Sequence, residues 1–161
     1  MTEPMITAET MKPEADPGEL TGLEFVRALT EGRLARPPMA ELLPFTPLPP
    51  SPGVVVLSAF PEDRFLNTFN TVHGGWSMTM LDTAMSLAAH TLLEPGEWCP
   101  THETSVKFVR PILRDSGELR ITGQVISRSR TIITLDGRIE SAGGKLHAHG
   151  SSTCMILRGK M

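Results

Sequence analysis

From Gly75 to about Leu93 the chain is apolar on nearly all sides of a helix. Met78, Met80, Leu81, Ala84, Met85, Leu87, Ala88, Ala89 and Leu92 recur at helical spacing, and Glu94-Pro95-Gly96 closes the run. A helix apolar over most of its circumference belongs in an interior. Its polar residues, Thr79, Asp82, Thr83, Ser86 and His90, share one arc roughly 100° wide, and Asp82 is the sole carboxylate among them. Elsewhere the pattern is that of strands. Val54 to Phe60 is a β-branched run bounded by Gly and Pro. After the helix come four strand-like runs, Thr101 to Val109, Glu118 to Ser127, Thr131 to Glu140 and Lys145 to Leu157. Their short separators favour antiparallel neighbours, hence a four-stranded meander. Asp136-Gly137 reads as a bulge in one long strand, because a hairpin there would leave flanks too short. One strand, one long helix and a meander make an α+β domain with the helix buried against an antiparallel sheet.

Upstream, Thr21-Gly22-Leu23-Glu24 opens a short helix, with Thr21 as cap and Glu24 in the capping-box position. Leu23, Val26, Leu29 and Leu34 form its apolar stripe. Arg36 to Pro52 is a Pro-rich connector with one helical turn at Met39 to Leu43, its P-L-P-P-S-P segment extended by proline geometry. Residues 1–18 are polar, acidic and Pro-containing, and are expected to be disordered. The division is then a tail (1–18), a helix with its connector (19–52) and the main domain (53–161).

Composition narrows the function. Net charge is −3 and aromatics are 5% with no Tyr, which excludes a basic nucleic-acid surface and a base-stacking platform. No run approaches the roughly 20 apolar residues of a membrane span, and the N-terminus carries no secretory signal pattern. Cys99 and Cys154 do not make a disulfide framework and read as free thiols, so the expected location is cytoplasmic. His147 and His149 alternate onto one strand face as a solvent-facing pair. No third ligand accompanies them, and no metal is expected.

The chemistry concentrates between Asn67 and Asp82. His73-Gly74-Gly75 stands at the start of the apolar helix, where bare amides and the helix dipole attract developing negative charge. Asp82, nine residues after His73, can activate water or attack a carbonyl itself. That combination suits attack on a carbonyl whose oxygen becomes anionic, held by Gly74 or Gly75. Trp76 either narrows the acyl pocket or is a core aromatic. His73 either hydrogen-bonds across the turn to fix the loop or competes with Asp82 as catalyst.

Asn67-x5-His73-Gly74-Gly75-x6-Asp82-x-Ala84, followed by Thr101-x-Glu103-x3-Lys107-Phe108-x-Arg110-Pro111, resembles the PaaI-like acyl-CoA thioesterases of the hotdog fold. The resemblance spans roughly residues 20 to 157. It implies a long central helix wrapped by a curved antiparallel sheet, and an active site between subunits of a homodimer or dimer of dimers. It implies Asp82 as catalytic base or nucleophile, Gly74 as the carbonyl-polarising amide, and Thr101 as an aid to water. Asn67 is implied to orient water or carbonyl from the subunit opposite the carboxylate. Asn70 stands where Gly is frequent, and Asn tolerates the same left-handed backbone. The expected substrate is an acyl-CoA, with CoA part of the substrate and no other cofactor; no nucleic acid or membrane partner is expected. Arg128 and Arg130, ahead of Lys107 and Arg110, are the first choices to pair with CoA phosphates. A hotdog hydratase or dehydratase and a non-catalytic acyl-CoA-binding domain are the competing readings.

Overall fold

The computed structural model describes residues 17–159. The expected tail therefore falls outside the described residues except for Pro17 and Gly18, which sit in a 3₁₀ turn. In chain order the elements are α1 (Gly22–Thr30), α2 (Pro38–Leu42), β1 (Thr46–Pro47), β2 (Val54–Ala59), α3 (Gly74–His90), β3 (Glu97–Trp98), β4 (Thr101–Phe108), β5 (Leu119–Arg128), β6 (Ile132–Ser141), β7 (Lys145–Met155) and β8 (Leu157–Arg158). The capping box of α1 forms as the sequence predicts: the Thr21 hydroxyl accepts from the Glu24 amide, and the Glu24 carboxylate accepts from the Thr21 amide at 2.9 Å.

Six strands form one antiparallel sheet in the order β1-β2-β5-β6-β7-β4. This corrects the expected meander. Of the four long strands after α3, only β5, β6 and β7 run as consecutive neighbours; β4 lies at the far edge beside β7. Residues 109–118 carry the chain across between β4 and β5. On the way Val72 donates its amide to the Ile112 carbonyl at 2.9 Å, and Thr71 bridges to Leu113, tying the crossing to the loop before α3. The Pro-rich connector does more than cross a surface. Thr46 and Pro47 add to the outer edge of β2, where a proline without an N–H is tolerated.

β6 shows why α3 is central. Ile133, Leu135, Gly137 and Ile139 alternate inward toward the helix, with Ile132, Thr134, Asp136 and Arg138 outward. The core packs Leu57, Ile121, Ile133, Leu135 and Ile139 against Met80, Leu81, Ala84 and Met85, all buried. Gly123 and Gly137 are register partners directly beneath the helix. A Cβ on Gly123 would overlap the Ala84 carbonyl, and one on Gly137 would lie 3.0 Å from both Leu81 and Met85 side-chain atoms. Gly137 is thus a close-approach position, not the expected bulge. The bulges fall elsewhere, at His102, Ile126 and His147, where the pairing registers slip. Among the described residues no helix is long and apolar enough to cross a membrane.

Candidate active site

α3 begins at Gly74, with His73 as its N-cap. The His73 Nδ1 accepts the Gly75 amide at 2.9 Å, while the His73 amide donates to the Phe65 carbonyl at 2.8 Å. His73 thus hydrogen-bonds across the turn and uses up one of the two glycine amides. The Gly74 N–H, at the first helical position, has no acceptor among the described residues. Phe108 covers this glycine: a Cβ on Gly74 would stand 3.0 Å from the ring. Gly74, Asn67, Phe108 and His147 line one cavity of about 450 Å³. Asn67 holds the loop by accepting from the Phe69 amide at 2.9 Å and the Thr71 amide at 3.2 Å, and by donating to the Thr71 hydroxyl at 2.9 Å. Asn70 adopts the left-handed conformation, φ 57°, as its position in the pattern requires.

Asp82 lies half-buried on the polar arc of α3. Its neighbours on that arc spend their hydroxyl protons on the helix itself: Thr79 donates to the Gly75 carbonyl, Thr83 to Thr79 and Ser86 to Thr83. Asp82 instead looks across to β4, where its Oδ1 accepts from the Thr101 hydroxyl at 2.9 Å and from Thr104 at 3.3 Å. Its Oδ2 has no partner among the described residues. Thr104 also meets Ser152, whose hydroxyl donates to the Glu103 carbonyl at 3.0 Å. Thr104 and Ser152 escaped the sequence reading. In a regular strand Thr101 and Thr104 point to opposite faces; the bulge at His102 turns both toward the helix.

Gly74 and Asp82 are eight residues apart on one straight helix, so about 12 Å separates their backbones along its axis. A reacting carbonyl has to lie about 3 Å from both its amide donor and its nucleophile, water or carboxylate.

The remaining candidates separate. Arg128 is bound to Glu97 at 3.1 Å, and Arg158 takes the other oxygen of that carboxylate at 2.7 Å. Burial alone would raise the Glu97 carboxyl, but the Glu94 amide and these two guanidiniums hold it below the usual range. Along the ladder the register runs Arg128, Ile133, Cys154, Thr101. Arg128 thus starts three strands, about 14 Å, from the Asp82 pair, and Arg130 sits in the exposed turn beyond it. Trp76 is buried against Phe65, ring centroids 6.2 Å apart, in the core position. The expected solvent-facing histidine pair is corrected: the bulge at His147 buries that ring, while His149 stays exposed. His147 Nδ1 donates to the Pro111 carbonyl at 3.1 Å and Nε2 meets the Ser141 hydroxyl at 3.0 Å. Cys99 and Cys154 are free and buried. The interaction of the two neighbouring thiols lowers Cys154 and raises Cys99, with burial adding to the rise. Among the described residues no group of three or more His, Cys, Asp or Glu is placed to hold a metal ion.

Residues 69–148 match the thioesterase superfamily model. A candidate esterase of Saccharolobus solfataricus is 29% identical over 100 residues, 62% of this chain and 69% of the relative. Among solved structures, a candidate thioesterase of Ralstonia eutropha JMP134, a phenylacetic acid degradation-related protein, is 27% identical with a TM-score of 0.74. That match covers 81% of this chain and 98% of the other. The Escherichia coli PaaI protein of the phenylacetic acid degradation operon shares the hotdog fold at 20% identity and a TM-score of 0.74, covering 88% and 98%. A Streptococcus mutans UA159 protein solved with acetyl-CoA shares it at 20% and 0.65, covering 73% and 91%.

Proposed function

Because the chain belongs to the thioesterase superfamily, we propose that it hydrolyses an acyl-CoA thioester to a free acid and CoA. The observation that carries this reading is the pairing of an uncommitted Gly74 amide at the start of α3 with a half-committed carboxylate two turns on. Asp82 Oδ2 takes a proton from water as the water oxygen bonds to the thioester carbon. The carbonyl oxygen becomes anionic and is held by the Gly74 N–H and the helix dipole. Collapse breaks the carbon–sulfur bond, and the proton on Asp82 passes to the departing CoA thiolate. Thr101 and Thr104 fix the carboxylate by engaging its other oxygen. Asp82 acting instead as nucleophile passes through an anhydride, and oxygen-18 appearing in its carboxylate after single turnover in labelled water marks that route.

The 12 Å offset within one helix supports a site shared by two chains, with Asn67 and Gly74 from one and Asp82 from the other. β4 suits the junction: it is an eight-residue edge strand paired, among the described residues, only with β7. Phe108 and Val109 at its end are exposed, at 56% and 52%, as is Phe69 in the loop before α3, at 84%. We assign a homodimer as the minimum active unit, with a dimer of dimers compatible. Arg128 and Arg130 are assigned to the CoA phosphates, Arg128 after exchange from Glu97.

A panel of acyl-CoAs with thiol detection tests the reading. Release of CoA from at least one acyl class is expected. Tight CoA binding without thiol release from any of them would make the chain an acyl-CoA binder instead.

A further inference from the structure

Between α1, the Pro-rich connector and α3 lies a cavity of about 250 Å³. Leu29, Ala40, Phe45 and Leu87 supply apolar wall. The remaining α3 wall is Thr83 and Ser86, whose hydroxyl protons go to the Thr79 and Thr83 carbonyls at 2.8 and 3.2 Å. With their protons spent, these hydroxyls offer an occupant no donor. Ser86 stands one turn after Asp82 on the same arc, at the i,i+4 spacing that puts Cβ atoms about 5–6 Å apart, so the α3 wall of the cavity adjoins the Asp82 position on the helix. The connector that roofs it is pinned by Arg36, which donates to the Phe45 carbonyl at 2.7 Å and stacks its guanidinium 5.1 Å over the Phe45 ring.

We propose that this cavity receives the apolar end of the acyl group and sets its length; the proposal rests on the thioester reading above. An apolar cavity of about 150 Å³ takes a benzene ring, so this one holds an alkyl or arylalkyl group of about ten carbons. Most of its roof comes from residues 29–45, which lie outside the matched segment 69–148. Acyl selectivity is therefore set by the N-terminal cover together with Thr83, Ser86 and Leu87 of α3.

The test titrates S-alkyl-CoA thioethers of increasing chain length into the full-length protein and runs the thiol-release panel beside it. Affinity should rise about fourfold per methylene and stop rising near ten carbons. Ala40→Leu, which fills the cavity, should move that break to shorter chains by about three carbons; Leu29→Ala should move it to longer chains by a similar amount. Melting curves confirm that both variants are folded, and the opposite directions of the two shifts guard against a general loss of structure. An identical break in all three proteins, or no dependence on chain length, would overturn the assignment. Absence of thiol release with the binding series intact would remove the hydrolase reading and leave the cavity assignment standing.

Discussion

Asp82→Asn separates the chemistry of this carboxylate from its structural part. The amide keeps an oxygen for the Thr101 and Thr104 hydroxyls, now at 2.9 and 3.3 Å from Oδ1, and occupies the same volume. What changes is Oδ2, which becomes an NH₂ group unable to take a proton from water. A positioned general base contributes roughly 100- to 10,000-fold, equivalent to about 2.7–5.4 kcal/mol of barrier. The expected loss in kcat is therefore at least about 100-fold, with the melting temperature within about two degrees of wild type. Thr101→Val removes one donor to a charged acceptor, an interaction of about 1.5–3 kcal/mol, and should cost roughly 10- to 100-fold. The assay is thiol release from the best acyl-CoA of the panel, with a melting curve for each variant. An Asp82→Asn protein that turns over within threefold of wild type would refute the mechanism, since no other residue has been given the proton.

Three further outcomes are expected. Mixing folded but inactive Asp82→Asn and Gly74→Val chains should restore roughly a quarter of wild-type activity, because half the dimers are mixed and each mixed dimer holds one intact site; no recovery would place both groups in one chain. Gly123→Ala forces a methyl group onto the Ala84 carbonyl and should lower unfolding free energy by about 1–3 kcal/mol, read by denaturant titration; an unchanged midpoint would contradict the close packing of α3 on β5. His90 is held below its ordinary pKa by burial, against the Phe25 ring and Cys99. The unfolded chain then binds the extra proton first, so the wild type should lose stability as pH falls below about 6.5. His90→Gln should flatten that slope in melting curves, and parallel slopes for the two proteins would argue against it.

Much of the architecture was legible because it is local. The period and composition of residues 75–93 predict a buried helix with a single carboxylate on its polar arc, and Asp82 occupies that place. The capping box at Thr21 and the left-handed Asn70 are local in the same sense, each a matter of a few neighbouring dihedrals. The errors are all errors of pairing. His147 reads as exposed by simple alternation with His149, and the same alternation would put Thr104 on the face opposite Thr101, which is why Thr104 escaped notice. Single-residue bulges, which depend on the partner strand, reverse both readings. Gly137 beside Asp136 has the dipeptide signature of a turn or bulge, yet its lack of a side chain serves the approach of Leu81 and Met85 from another element.

What the sequence by itself determined is therefore the nature of the parts: a helix that must be covered, strands to cover it, a glycine amide at its start and an acid two turns inside. These follow from short-range sterics, capping and hydrophobic period, which need no knowledge of the rest of the chain. Tertiary structure alone decided their arrangement. It carried β4 past β5 and β6 to the edge beside β7, brought Thr101 and Thr104 onto Asp82, and roofed the polar arc of α3 with the connector. Strand order and register are set by contacts between residues distant in sequence, where many pairings satisfy the same local pattern and only burial against the common helix selects among them.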